Sequence, residues 1–218
     1  MANTKPGKTY QITLLRHGQS VGNFEQRHQG QADFPLTETG MEQARALARC
    51  WKAEARHFDW IISSPLQRAR QTAEIVAAAL ELPVEFDPVW LERDNGLFSG
   101  LTMQEAAVLH PRPPFIHPYL PFGGTGEGIQ ALYLRAGQAL QSLMRRPAGK
   151  YLIVSHGGLL NMFLYAALGM VPQANFHGAR FRFRNTAYAV LQYDPNHHDW
   201  MLERLNERTH WPEHADND

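Results

Sequence analysis

Two histidines lie just beyond the ends of short apolar runs that are far apart in the 218-residue chain. Residues 12–15 lead to Arg16 and His17, and residues 151–154 lead to Ser155 and His156. Short apolar, β-branched runs predict strands that are buried on both faces. Because ligands bind beyond the carboxyl ends of parallel strands, both histidines are candidate site residues. A neutral imidazole can act as a nucleophile or exchange protons, and a guanidinium binds anionic oxygens.

Further motifs lie around and between the two histidines. In chain order, the five motifs are Leu15-Arg16-His17-Gly18-Gln19-Ser20 with Asn23, Gln29-Gly30 followed by residues 33–40, residues 63–73 around Arg68, residues 91–96 around Glu92, and Val154-Ser155-His156-Gly157. Together they make the chain, from about residue 13 to residue 210, resemble the histidine phosphatase superfamily, also called the phosphoglycerate mutase-like family. Residues 206–210 resemble the C-terminal stretch of its phosphatase members. The resemblance implies phosphatase activity on a small phosphorylated metabolite.

The resemblance also implies a role for each motif in phosphoryl transfer. His17 is expected to be the nucleophile that forms a phosphohistidine, and Glu92 is expected to protonate the leaving oxygen. His156 would donate to the phosphoryl oxygens as negative charge spreads over them. The other predicted phosphate-binding groups are Arg16, Arg68, the Asn23 amide, the backbone around Gln29 and Gly30, and a backbone N–H near Gly157. We expect no cofactor and no metal, and we expect phosphate or sulfate to occupy the pocket.

Neighbouring polar residues receive no catalytic role from the sequence. We interpret Arg70 and Arg93 as structural, although both lie next to predicted site residues. His28 and His177 could approach the pocket but are assigned no function. The single cysteine, Cys50, supports neither a disulfide framework nor a thiolate metal site.

Three other functions compete with a phosphatase. A phosphoglycerate mutase would form the same phosphohistidine but return the phosphoryl group to substrate; mutases of the family usually carry a longer insertion between the acid motif and the second histidine. His17, His156 and Glu92 could instead ligate a divalent metal, although two converging arginines would repel a cation. A non-catalytic phosphate-binding module would use the same pocket.

Alternating strand and helix patterns predict how these motifs are positioned. We expect one domain over residues 1–218, a three-layer α/β fold with a mostly parallel central sheet and helices on both faces. The predicted strands are residues 12–15, 59–64, 83–86, 151–154, 180–184, 186–193 and 200–205, and the main predicted helices are residues 41–51, 65–80, 127–145 and 159–168. Pro65 is expected in the first turn of its helix, and Gly18 is expected to permit a sharp turn.

Residues 96–128 interrupt this alternation with an irregular, proline-rich insertion. It contains a short helical pattern at residues 102–109 and three interspersed aromatic residues, Phe115, Tyr119 and Phe122. Long loops in compact domains are usually functional or disordered, and these aromatic residues argue against disorder. The pattern predicts a lid over the site; a loop packed on its own domain is the alternative.

Overall charge predicts no general attraction to polyanions. The chain has 21 Lys and Arg against 21 Asp and Glu, so we expect neither nucleic acid nor an anionic membrane as a partner. No apolar run approaches the length of a membrane span, and the polar N-terminus lacks a signal-peptide core, which predicts a cytoplasmic protein. The oligomeric state stays open.

Overall fold

A six-stranded mixed sheet forms the centre of the computed structural model, which describes residues 9–111 and 113–211. Its strand order is β3-β2-β4-β1-β5-β6. The strands are β1 (Tyr10–Arg16), β2 (Trp60–Ser63), β3 (Val84–Phe86), β4 (Lys150–Ser155), β5 (Tyr188–Asp194) and β6 (Asp199–Glu207). Strands β1 to β4 pair in parallel, whereas β5 is antiparallel to both β1 and β6. The predicted mostly parallel α/β sheet is confirmed.

Helices cover both faces of this sheet and form two separate cores. The helices are α1 (Val21–Phe24), α2 (Glu38–Ala53), α3 (Gln67–Leu80), α4 (Met103–Leu109), α5 (Ile129–Met144) and α6 (Gly157–Ala167). Helices α2 and α3 share one core with Leu152 and Val154, and α5 and α6 share the other with Tyr151 and Ile153. Successive residues of β4 therefore serve opposite cores, which explains its uninterrupted apolar sequence.

The start of α3 differs from the sequence prediction. Pro65 lies outside the helix, because Leu66 is the N-cap in an extended conformation. Leu66 offers no side-chain oxygen, so Asp33 from a distant loop accepts the Gln67 N–H instead, at 2.6 Å. This cap comes from tertiary structure. The prediction that Arg68 lies in the first turn is correct.

The predicted strand at residues 180–184 is wrong. This segment has no regular structure, although its alternation does place Phe183 in the core and Arg182 at the surface. Its backbone forms hydrogen bonds with side chains instead of with a neighbouring strand. The Asn161 side chain accepts the N–H of Phe181 at 2.9 Å and donates to the carbonyl of Phe181 at 2.8 Å. Asn206 similarly accepts the Arg184 N–H at 2.9 Å.

The insertion at residues 96–128 is irregular apart from α4 and two short 3-10 helices, Gly96–Phe98 and Phe122–Gly124. The Phe122 ring packs edge-on against Phe98, at 5.1 Å between centroids, and against Phe176, at 6.2 Å. By contrast, Tyr119 is 70% exposed. Of the three aromatic residues noted in the sequence, Phe122 therefore joins the insertion to the rest of the domain through Phe176. Among the described residues, no helix is long and apolar enough to cross a membrane.

Candidate active site

Parallel pairing of β1 with β4 brings the two histidines together. Arg16 lies opposite Ser155 in the register, so the following residues, His17 and His156, leave the sheet side by side at its carboxyl edge. Their ring centroids are 5.2 Å apart. Both side chains are buried, with exposures of 3% and 0%. The structure thus joins two motifs that are 139 residues apart in the chain.

Gly18 orients the ring of His17. The Gly18 carbonyl accepts a hydrogen bond from His17 Nδ1 at 2.7 Å, which leaves the Nε2 lone pair available for attack. The backbone of Gly18 has no left-handed φ, so its conformation does not itself require glycine. Glycine is needed for another reason: a Cβ at this position would lie 2.5 Å from the carbonyl oxygen of Gly40. The site loop therefore packs directly on the start of α2.

Burial and positive neighbours keep His17 neutral. Its pKa is lowered well below the ordinary value, first because burial removes the solvation of the imidazolium and then because Arg68 and Arg16 are close. The hydrogen bond to Gly18 opposes this shift but does not reverse it. At neutral pH the ring has the unprotonated nitrogen that a nucleophile requires.

His156 is held by Ser64, which immediately follows β2. The Ser64 hydroxyl lies 2.8 Å from His156 Nε2. When Ser64 donates to Nε2, the ring proton resides on Nδ1, and this atom is buried without a hydrogen-bond partner among the described residues. Burial, followed by the charge of Arg68, lowers the pKa of His156 well below its ordinary value. A bound anion would satisfy Nδ1 and reverse this effect.

Arg68 is a buried cation anchored by a loop. Its side chain is only 1% exposed, and its guanidinium donates to the carbonyls of Gly30 at 2.6 Å and Ala32 at 3.0 Å. Gly30 has a left-handed φ of 52°, which turns the carbonyl towards the arginine. Burial lowers the pKa of Arg68 to about 10, so the group still carries its charge at neutral pH. The Gln29 side chain bonds Ser20 at 2.7 Å and steadies the same loop.

Hydrogen bonds also fix Arg16 and Asn23 near His17. Arg16 donates to the carbonyl of Phe183 at 2.7 Å. The Asn23 carboxamide oxygen accepts from the Ser20 N–H at 3.1 Å and from Asn185 at 3.2 Å. These contacts leave the Asn23 amide nitrogen as the group that can donate to a ligand. Asn185 also donates to the carbonyl of His17 at 3.0 Å.

Glu92 occupies the N-terminus of α6. Its two oxygens accept the N–H groups of Gly158 at 3.0 Å, Leu159 at 3.1 Å and Arg93 at 2.8 Å. Three backbone donors therefore fix the position of this carboxyl group at the start of the helix. Gly157, the first residue of α6, lies next to these donors. The predicted acid therefore also has a structural function.

Arg135 was not identified from the sequence. It donates from α5 to the carbonyls of Leu91 at 2.6 Å and Glu92 at 3.1 Å, and it pairs with Glu127 at 2.6 Å. It thereby fixes the backbone that carries Glu92. A contact between helix α5 and a loop about 40 residues earlier leaves no local sequence signal. Ser64 was detectable, because it ends a predicted strand, and His17 and His156 also lie at the carboxyl ends of predicted strands.

The gathered side chains form a site with excess positive charge. Arg16 and Arg68 remain cationic beside two neutral histidines, and Glu92 directs both oxygens towards backbone N–H groups. Within the described part of the chain, no cluster of three or more His, Cys, Asp or Glu side chains could hold a metal ion. The arrangement matches a tetrahedral oxyanion.

A cavity of about 710 Å³ adjoins this site on the Glu92 side. Its lining includes Gly157 and Gly158 at the start of α6 and the aromatic side chains of Phe122 and Phe176. Its volume suits a small organic group attached to a bound phosphate.

Comparison with known proteins gives a consistent family match. The model of the histidine phosphatase superfamily, branch 1, matches residues 12–208. The protein named "Probable phosphoglycerate mutase GpmB" from Yersinia enterocolitica serotype O:8 / biotype 1B is 34% identical over 212 residues, covering 92% of this chain and 94% of the relative.

Two solved phosphatases share the fold. Phosphoserine phosphatase from Entamoeba histolytica, in complex with 3-phosphoglyceric acid, has a TM-score of 0.76 at 28% identity, covering 92% of this chain and 98% of that one. Mycobacterial glucosyl-3-phosphoglycerate phosphatase Rv2419c, complexed with VO3, has a TM-score of 0.75 at 28% identity, covering 90% and 98% respectively.

Proposed function

Because the chain belongs to the histidine phosphatase superfamily, we propose that it hydrolyses a small phosphomonoester through a phosphohistidine intermediate. The supporting observation is the state of His17: neutral, oriented by the Gly18 carbonyl, and close to His156 and two arginines. Its Nε2 has an available lone pair, and the positive charge of the nearby arginines favours a phosphate group beside it. The family match over residues 12–208 confirms the family membership that the sequence motifs suggested.

Substrate binding would bring phosphoryl oxygens to the hydrogen-bond donors of the site. Arg16, Arg68 and the Asn23 amide would bind the phosphoryl oxygens, with the buried Nδ1–H of His156 as a further donor. The dianion would raise the pKa of His156 and favour its protonated form. These donors are positioned before the reaction, so they stabilise developing charge without large rearrangement.

In the first chemical step, His17 Nε2 attacks phosphorus and the bond from phosphorus to the leaving oxygen breaks. Glu92, protonated beside the incoming dianion, donates its proton to the departing alkoxide. In the second step, water attacks the phosphohistidine, the N–P bond breaks and Glu92 takes a proton from that water. Phosphate then leaves, and both His17 and Glu92 return to their starting protonation states.

A phosphoglycerate mutase is the second candidate, favoured by the name of the 34% identical relative. The first chemical step would be the same, but the phosphoryl group would return to a bound phosphoglycerate instead of water. Incubation with 3-phosphoglycerate and catalytic 2,3-bisphosphoglycerate separates the two functions. A phosphatase releases phosphate and glycerate, whereas a mutase produces 2-phosphoglycerate without net phosphate release.

The covalent intermediate is tested by substitution of His17. Wild-type protein, quenched during turnover of ³²P-labelled substrate, should carry acid-labile, base-stable label, and His17→Ala should abolish both label and turnover. His57→Ala is the matched control, because His57 is exposed and pairs with Asp59 at 3.3 Å, outside the site. Turnover retained by His17→Ala would exclude this residue as the nucleophile.

A further inference from the structure

Arg93 projects into the cavity beside Glu92 rather than into the protein core. Its guanidinium carbon lies 3.6 Å from the centroid of the Phe122 ring, an arrangement typical of cation–π stacking. Its Nε contacts Asn95 at 3.4 Å, and the described residues provide no other hydrogen-bond partner for the guanidinium. The planar group is therefore held in orientation by an aromatic ring while its terminal nitrogens stay available.

The carboxylates nearest to Arg93 are already engaged. Glu127 pairs with Arg135 through both oxygens, at 2.6 and 2.9 Å, and Glu92 accepts three backbone N–H groups. Neither lies within salt-bridge distance of Arg93. Burial consequently lowers the pKa of Arg93, although both carboxylates oppose the shift. A half-buried guanidinium without an ion-pair partner is unfavourable unless a ligand completes it.

The lining of the cavity has one sign of charge. Besides Arg93, it includes Arg180 and Arg182, which are exposed and also lack an ion-pair partner among the described residues. No Asp or Glu belongs to the lining. The walls between these cations are largely apolar and include Phe122 and Phe176. Such a cavity favours a carbon skeleton that carries negative charge.

We infer that this cavity binds the alcohol part of the substrate and that Arg93, assisted by Arg182, recognises a second anionic group on it. The inference rests on the proposed phosphatase function and narrows its substrate class. Arg93 follows Glu92 in the chain, and its backbone N–H donates to the Glu92 carboxylate. The residue that would recognise the second anionic group is therefore next to the proposed proton donor to the leaving oxygen. The preferred substrates are therefore phosphomonoesters whose alcohol carries a carboxylate or a second phosphate.

Two substrate pairs test this inference. 3-Phosphoglycerate and glycerol 3-phosphate differ in carrying a carboxylate or a hydroxymethyl group, and propane-1,3-diol bisphosphate and its monophosphate differ by the second phosphate. The measured quantity is the ratio of kcat/KM within each pair. The wild-type ratio should favour the anionic member, and the larger of the two preferences identifies carboxylate or phosphate as the recognised group. A wild-type ratio near one for both pairs would overturn the inference.

Arginine variants locate the recognition. Arg93→Met should lower the preferred ratio by about tenfold to hundredfold, the usual effect of removing a charge-assisted hydrogen bond. Arg182→Met should lower it by about two- to fivefold, because this side chain is exposed. Arg70→Met is the matched control: Arg70 stacks on Phe86 at 4.5 Å but lies outside the cavity lining, so the ratio should not change.

If Arg93→Met fails to fold, Arg93→Lys keeps the charge but loses the planar fork, and it should lower the ratio by at least threefold. Unchanged ratios in the folded Arg93 and Arg182 variants would show that Arg93 only anchors Phe122. Calorimetry on His17→Ala separates this inference from the proposed function, since it measures binding of 3-phosphoglycerate and inorganic phosphate without turnover. Selective loss of 3-phosphoglycerate affinity on adding Arg93→Met supports the subsite even if no phosphatase activity is found. Equal loss of both affinities contradicts it.

Discussion

Replacing Glu92 by glutamine tests two functions of one side chain. The carboxylate accepts three backbone N–H groups, so a glutamine oxygen in place of Oε1 would keep the bonds from Arg93 and Leu159. The glutamine NH2 group would then face the Gly158 N–H, which now donates at 3.0 Å, and leave it unsatisfied. An unsatisfied donor costs about 1–3 kcal/mol, and losing the negative charge at the start of α6 costs about 0.3–1 kcal/mol more.

The free energy of unfolding should therefore fall by about 1.3–4 kcal/mol in Glu92→Gln. For a chain of this size, the corresponding fall in Tm is roughly 3–15 °C. Denaturant and thermal unfolding of the phosphate-free protein measure this loss. Glu38→Gln is the control, because Glu38 also lies in the first turn of a helix but is exposed and pairs with Arg45 instead of accepting backbone N–H groups. It should change the unfolding free energy by less than about 1 kcal/mol.

The catalytic effect of Glu92→Gln should depend on the leaving group. An alkyl or sugar alkoxide needs a proton as it departs, so kcat/KM should fall by about 10²–10⁴-fold. p-Nitrophenolate leaves without a proton, so kcat/KM for p-nitrophenyl phosphate should fall less than about tenfold. The ratio kcat/KM is compared because slow hydrolysis of the phosphohistidine can mask an effect on kcat. Equal losses for both substrates would refute the acid function and leave Glu92 as a residue that positions α6 and its neighbours.

Three further predictions follow from burial and charge. Phosphate or sulfate at about 100 times its Kd should raise the unfolding free energy by about 2.7 kcal/mol in thermal melts, and a rise matched by sodium chloride of equal ionic strength would contradict specific binding. Lowering the pH below about 6.5 without phosphate should reduce the unfolding free energy by up to about 1.4 kcal/mol per pH unit and per histidine. The reason is that His17, His156 and His210 have lowered pKa values in the folded state, that of His210 being about 4, so the unfolded chain takes up protons first; His210→Gln should flatten the measured slope. Phe122→Ser should raise KM for bulky phosphomonoesters more than it weakens inhibition by inorganic phosphate, whereas Phe115→Ser, at a position that is 56% exposed, should change neither.

The amino-acid sequence predicts the main site residues because their positions depend on local pattern. An apolar run that ends abruptly identifies a buried strand and the polar residues at its carboxyl end, as for His17 and His156. The proline-rich insertion is equally visible in the order of residue types. The structure confirms the α/β fold and places both histidines at one edge of the sheet.

Interactions between distant segments were decided only by the tertiary structure. Alternation at residues 180–184 predicts a strand, but side chains of Asn161 and Asn206 take its backbone hydrogen bonds. From the sequence, Arg93 was interpreted as a structural residue next to Glu92. In the structure it stacks on Phe122 and lines the cavity. Burial, the local field and the partners of a side chain depend on which elements become neighbours in space, and these are the quantities that set the pKa of His17 and the orientation of Glu92.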